Sequence, residues 1–236
     1  MAKPPTKSGP TRPVGPRSTH SNVKTARGRS NASQRWLLRQ LNDPYVKAAQ
    51  AAGYRSRAAF KLTELNDRFK LLRPGQRVVD LGAAPGGWTQ VVLRALDQRG
   101  EVVALDLLPM DNLPGAKILE GDFQDDATET AVLEALGGFA DLVLSDMAPN
   151  TTGHGPTDHL RIMELAALAL DFAVKVLAPG GGFVAKVFQG GSEKAMLERL
   201  RLNFSEVRHA KPPASRKESS ELYVVATGFK RERPIA

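Results

Sequence analysis

The chain has 236 residues, 42% of them apolar and none of them cysteine, and carries a formal charge of +8. This length allows one substantial core. The lack of cysteine excludes disulfides and thiolate metal sites, and there is neither an apolar leader nor a run of 18 apolar residues, so the expectation is a cytoplasmic protein with no membrane span.

The charge belongs to one end. Residues 1–40 hold nine Lys or Arg and no Asp or Glu, whereas the remaining 196 hold 24 basic and 25 acidic groups. Residues 1–33 are rich in Pro, Ser, Gly and Thr and have little apolar surface to repay ordering. They read as a disordered basic tail, either a solubilising extension or an arm for polyanions. Order is expected from about Trp36–Leu38, with residues 34–236 forming a single domain.

Phe60, Leu62, Leu65 and Phe69 recur at near-helical spacing and predict a helix over Ser56–Phe69, ended by Pro74-Gly75. Arg77–Leu81 reads as a short buried strand, Gly82–Gly87 as a glycine-rich turn and Trp88–Leu96 as a helix. The alternation continues with strands at Val102–Asp106, Lys117–Leu119, Asp141–Asp146 and Phe183–Phe188. The helices between and after them fall at Thr128–Leu136, Asp158–Leu177 and Glu193–Asn203. Val207–Lys211 and Glu221–Gly228 close the chain as two strands with no helix between them. Strands alternating with helices imply crossovers and a mainly parallel sheet, α/β in class, with one antiparallel strand at the hairpin-like end.

The turn Gly82-Ala83-Ala84-Pro85-Gly86-Gly87-Trp88 lets the backbone approach a ligand beyond the strand ends. It is neither a dinucleotide fingerprint nor a phosphate-binding P-loop. Asp106 ends the second strand, where a carboxylate can accept from two ribose hydroxyls, and Asp122 follows the third, placed for an exocyclic adenine amine. Carboxylates repel phosphates, so the pair suits an adenosine cofactor without them. Each acid alone also fits a turn or cap.

The stretches Arg55–Leu62, Val79–Trp88, Leu144–Pro149, Gly182–Phe188 and Ser215–Gly228 resemble the bacterial FtsJ/RrmJ-type 2′-O-ribose methyltransferases of large-subunit ribosomal RNA, a heat-shock-associated family. The resemblance covers roughly residues 35–230; the long basic tail departs from it. It implies a Rossmann-like, S-adenosylmethionine-dependent fold with a seven-stranded, mostly parallel sheet and helices on both faces. It implies a catalytic tetrad of Lys61, Asp146, Lys186 and Glu221, and cofactor contacts from Gly86, Trp88, Asp106 and Asp122, with Asp146 close to the methyl donor. The substrate it implies is a uridine ribose of 23S ribosomal RNA within the 50S subunit, with no stable protein partner.

Read without the family, Lys186 lies inside an apolar run, where an ionised amine is costly unless paired. Asp146 and Glu221 are its candidate partners, and a structural ion pair is the alternative to catalysis. A ribose hydroxyl becomes a good nucleophile once its proton leaves, and a positioned lysine can receive it. Arg55, Arg57, Lys211, Arg216 and Lys217 are candidates for phosphate contacts that position RNA without reading its sequence; each is otherwise a solvated charge. The four histidines are dispersed and give no metal site. Competing readings are a 2′-O-methyltransferase acting on tRNA or an mRNA cap, and a non-catalytic, RNA-binding ribosome assembly factor. No Asn/Asp-Pro-Pro-Tyr motif of amino-methylating enzymes occurs.

Overall fold

Parallel strands that show apolar side chains on both sides need cover on both faces. The computed structural model describes residues 38, 41–149, 152–190 and 193–230; the expected tail lies outside them. The described residues up to Lys47 belong to one unit and those from Ala48 to a second. Asp43 Oδ1 accepts from the Tyr45 amide at 3.0 Å and opens helix α1 (Pro44–Ala51).

The larger unit alternates as the sequence predicts: α2 (Ala58–Phe69), β1 (Arg77–Leu81), α3 (Gly87–Leu96), β2 (Glu101–Asp106), β3 (Lys117–Glu120), α4 (Asp126–Leu136), β4 (Ala140–Ser145), α5 (Gly155–Val176), β5 (Leu177–Phe188), α6 (Glu193–Asn203), β6 (Phe204–Ala210) and β7 (Glu221–Phe229). The seven strands lie in the order β3-β2-β1-β4-β5-β7-β6. All neighbours are parallel except that β7 runs antiparallel to both β5 and β6. This is the mostly parallel sheet with one antiparallel strand that the sequence predicts.

Period-two alternation divides the core into two layers. Val79, Val103, Val143, Phe183 and Ala185 pack under α4, α5 and α6. Their neighbours Val78, Val102, Leu142 and Val184 pack under α2 and α3. Beyond β5, Phe204 packs on Phe183 and Phe229 and closes the sheet's far edge.

The largest boundary difference from expectation is at β5; β6 also starts earlier, at Phe204 instead of Val207. β5 begins at Leu177 instead of Phe183, because Leu177 pairs with Ala140 before the ladder slips and resumes at Leu142 and Gly182. The residues between leave the ladder at Pro179–Gly181, where Gly180 takes φ +81°.

Candidate active site

The first three parallel strands end in backbone-built features. Gly82 follows β1 at φ +69°, and a Cβ there would sit 2.3 Å from Met147 Cγ, so this turn requires glycine on both counts. Asp106 Oδ2 accepts from the Ala84 amide and Oδ1 from the Leu108 amide, both at 2.8 Å. Asp122 Oδ1 accepts from the Gln124 amide at 3.0 Å. The strand-end carboxylates are thereby oriented by main chain, and each oxygen keeps a lone pair for a ligand.

A cavity of about 520 Å³ opens between these features, lined among others by Gly82, Ala84, Asp106, Asp122, Met147 and Asp146. Among the described residues no lysine or arginine lines it. A smaller one of about 60 Å³ adjoins it through Gly82, Ala84 and Asp146, and adds Ser56, Asp80 and Trp88. Trp88 is buried there, its indole N–H donating to the Ala58 carbonyl at 2.8 Å. Gly86 takes φ +104° behind the cavity; a Cβ on it would meet Leu113 Cδ1 at 2.8 Å. The set fits an adenosine cofactor without phosphates: acceptor carboxylates on one side, an apolar floor, and a further anion at Asp146.

The four tetrad candidates come from four elements and meet at one point. Lys61 lies on α2, Asp146 directly follows β4, Lys186 is in β5 and Glu221 opens β7. Because β7 runs antiparallel, its first residue reaches the end where β4 and β5 finish; Glu221 pairs with Phe188 across the ladder. Lys186 Nζ lies 2.9 Å from Asp146 Oδ1 and donates to the Asp146 carbonyl at 2.7 Å. Lys61 Nζ lies 2.8 Å from Glu221 Oε2 and 3.6 Å from Asp146 Oδ1. Side-chain exposure is 7% for Lys186 and 12–15% for the other three, so water screens these charges little.

Burial pushes the Asp146 carboxyl up, but the Lys186 and Lys61 ammoniums and the hydrogen bonds from Tyr223 and Lys186 outweigh it and hold it below the usual carboxylate range. Asp146 is therefore an anion on the border between the tetrad and the cavity.

Three residues of the site escaped the sequence reading. Tyr223 donates its phenol to Asp146 Oδ1 at 2.6 Å; burial, then the charges of Asp146 and Glu221, raise it well above the ordinary tyrosine range. Ser215 donates to Glu221 Oε1 at 2.6 Å. Asp80 accepts from Thr89 Oγ1 at 2.7 Å and is pushed by burial up to about 7. Signals for two of them existed: Tyr223 stands two residues after Glu221, on the same face of a strand, and Asp80 is a lone acid in an apolar strand.

The five RNA candidates fare differently. Arg57 donates to the Ala214 carbonyl, while Glu64 accepts from the Ala214 amide at 2.7 Å; both lie at α2 and steady the segment that carries Ser215. Lys211 donates to the carbonyls of Lys217 and Ser219 and closes the 211–219 loop. Lys217 is exposed and Arg216 half-buried on that loop. Arg55 lies apart, against the loops after β1 and β2.

A sheet of this order, with a glycine turn after β1 and acceptor carboxylates after β2 and β3, defines a Rossmann-like methyltransferase. Residues 54–229 match the model of the FtsJ-like methyltransferases, and the chain belongs to that family. It is 65% identical over 214 residues to a "Ribosomal RNA large subunit methyltransferase E" of Gluconobacter oxydans, covering 90% of this chain and 78% of that one. It is 64% identical over 220 residues to the protein of the same description in Granulibacter bethesdensis, covering 92% and 94%. Among solved structures, a ribosomal RNA methyltransferase of Plasmodium falciparum superposes with a TM-score of 0.70 at 28% identity, covering 76% of this chain and 100% of that one.

Proposed function

We propose that this protein transfers a methyl group from S-adenosylmethionine to the ribose 2′-oxygen of a uridine in 23S ribosomal RNA, on the large ribosomal subunit in the cytoplasm. Family membership and the close relatives support the reaction class. The observation that carries the chemistry is Lys186, an almost fully buried amine held by Asp146, which itself lines a cavity suited to adenosine.

Asp106 and Asp122 would hold the cofactor's ribose and adenine, with Asp146 near its cationic sulfur. When bound, the cofactor supplies a methyl group on a sulfonium. As the ammonium paired with Asp146, Lys186 Nζ holds the 2′-oxygen as negative charge develops on it; it receives the 2′-hydroxyl proton only after releasing one of its own to solvent. Asp146, fixed by Tyr223, orients Lys186. Glu221, fixed by Ser215, orients Lys61, which meets the ribose or its phosphate. Placing these four groups before the substrate arrives removes reorganisation from the reacting step.

Within this reading residues 1–33 supply affinity by neutralising phosphates. Their removal should flatten the salt dependence of subunit binding, by about 0.7–0.9 in log–log slope for each phosphate no longer neutralised. An unchanged slope would leave the tail as a solubilising extension. The function itself is tested with large subunits from cells lacking the enzyme. Purified protein and S-adenosylmethionine should place one 2′-O-methyl group in their 23S RNA, while small subunits and free tRNA remain poor acceptors. Preferential methylation of tRNA would overturn the substrate assignment.

A further inference from the structure

The cofactor cavity lies between two loops, one after β1 (residues 82–86) and one after β2 (residues 107–113). Gly82 and Ala84 contribute one wall, and Leu107 and Leu108 the other. The second loop is poorly anchored by burial: Leu107 and Leu108 are 66% and 65% exposed, and only at Leu113 does exposure drop to 8%. A loop with so little packing opens easily unless something else holds it.

Arg55 spans the two. Its Nη1 donates to the Pro85 carbonyl at 3.2 Å and to the Asp111 carbonyl at 2.9 Å, and its Nη2 donates to the Asn112 carbonyl at 2.9 Å. The planar fork of a guanidinium can serve carbonyls on two separate segments at once; an ammonium is a point donor and cannot reproduce that geometry. Nη1 also lies 3.1 Å from where a Cβ on Gly86 would be, beside Leu113 and Met110. The brace therefore packs against the back of the glycine turn.

Arg55 is itself held from behind. Its amide donates to Gln90 Oε1 at 2.7 Å, and Gln90 Nε2 donates to the Gly53 carbonyl at 2.9 Å. Arg94 donates to the Ala52 carbonyl at 3.0 Å, and Trp88 to that of Ala58 at 2.8 Å. Residues 52–58 are thus strapped along α3, and the same segment leads into α2, which carries Lys61.

We infer that Arg55 is a positioning residue of the cofactor pocket: it fixes the spacing of the two loops that enclose the cofactor. This rests on the reading of the cavity as the S-adenosylmethionine site, and it gives Arg55 a task other than contact with RNA phosphate.

The test uses the full-length protein with Arg55→Ala, Arg55→Lys and Arg55→Gln. S-adenosylmethionine affinity is measured by calorimetry and subunit affinity over a salt series. Amide exchange of the ligand-free proteins completes the set. All three variants should weaken the cofactor about ten-fold and raise its KM accordingly, with kcat at saturation within about three-fold and subunit affinity unchanged. Exchange should quicken at residues 83–87 and 107–113 and stay the same elsewhere. Wild-type cofactor affinity in the variants would overturn the inference. So would a loss of subunit affinity that Arg55→Lys restores, with a salt slope lowered by about 0.7–0.9, since a phosphate contact needs the charge and not the fork. If the unaltered enzyme bound no S-adenosylmethionine, the reading of the cavity would fall, while quickened exchange in the variants would still mark Arg55 as the brace of both loops.

Discussion

Asp80 and Asp146 are carboxylates near the ends of neighbouring parallel strands, the first fully buried and the second largely so, and they behave in opposite ways. Asp80, on β1, has a threonine hydroxyl for a partner and is pushed by burial up to about 7. Asp146, after β4, is burdened by burial too, yet two ammoniums and a phenol hold it below the ordinary range. Burial alone does not set the protonation of a carboxyl group; the charges and donors that share its pocket do. The same contrast divides the site. Its β1–β3 side is shaped by glycines, backbone amides and an open cavity, whereas its β4–β7 side is a closed set of opposed charges.

Breaking the charge set should have the largest effect on stability. Asp146→Ala leaves Lys61 and Lys186 facing one another without the anion between them. Removing one member of a buried ion pair costs about 3–5 kcal/mol, so the denaturation midpoint should fall steeply, and a loss within about 1 kcal/mol would show the cluster to be well solvated. On the other side a backbone change should dominate. Gly82→Ala meets Met147 and a positive φ; strain of about 1–3 kcal/mol, if relieved in the free protein and not in the bound one, corresponds to roughly 5–150-fold in cofactor affinity. Calorimetry with S-adenosylmethionine checks it, and unchanged affinity would mean the turn does not contact the cofactor.

The two acids should also separate by pH. Folded Asp80 keeps a proton that the unfolded chain releases near 3.8. Its contribution to stability therefore declines as pH rises from about 4 to about 7, then levels off. Asp146 acts in reverse, adding stability above its unfolded value and losing it as acid protonates the native carboxylate. Asp80→Asn should flatten the decline between about pH 4 and 7 in urea titrations; an unaltered curve would place the charge elsewhere. A more local effect is expected for Tyr223→Phe. It removes one hydrogen bond to a charged group, worth about 1.5–3 kcal/mol, and loosens Asp146 without removing it. Turnover should fall while cofactor affinity holds, and an unaffected kcat would leave Tyr223 a purely packing residue.

Much of this arrangement is legible in the sequence. Strands such as Arg77–Leu81 and Val102–Asp106 are short apolar runs bounded by turn residues, and the acids Asp106 and Asp122 fall where each strand stops. The meeting of Lys61, Asp146, Lys186 and Glu221 follows from family resemblance, because residues 160 apart in sequence leave no local trace of contact. Arg55 has contacts that local reading does not reach. Its acceptors are main-chain carbonyls 30 to 57 residues away, and a carbonyl belongs to every residue, so composition marks the arginine as a solvated charge. The early start of β5 is hidden for a similar reason: Pro179 and the glycines after it look like the end of a helix, and nothing local says that Leu177 has already joined Ala140.

The division of labour between the two sides of the site is tested most directly at Lys186. Methyl transfer to large subunits from cells lacking the enzyme is compared for the wild type and Lys186→Ala, with S-adenosylmethionine affinity measured on the same samples. Loss of the amine that holds the oxygen or receives its proton should lower kcat by about 10²–10⁴-fold, while cofactor affinity stays within about two-fold, because Lys186 does not line the cavity, whose walls come from the ends of β1–β4, the loops after them and Leu165 of α5. Turnover close to that of the wild type, with the fold intact, would contradict the account and leave Lys186 as a structural ion-pair partner of Asp146.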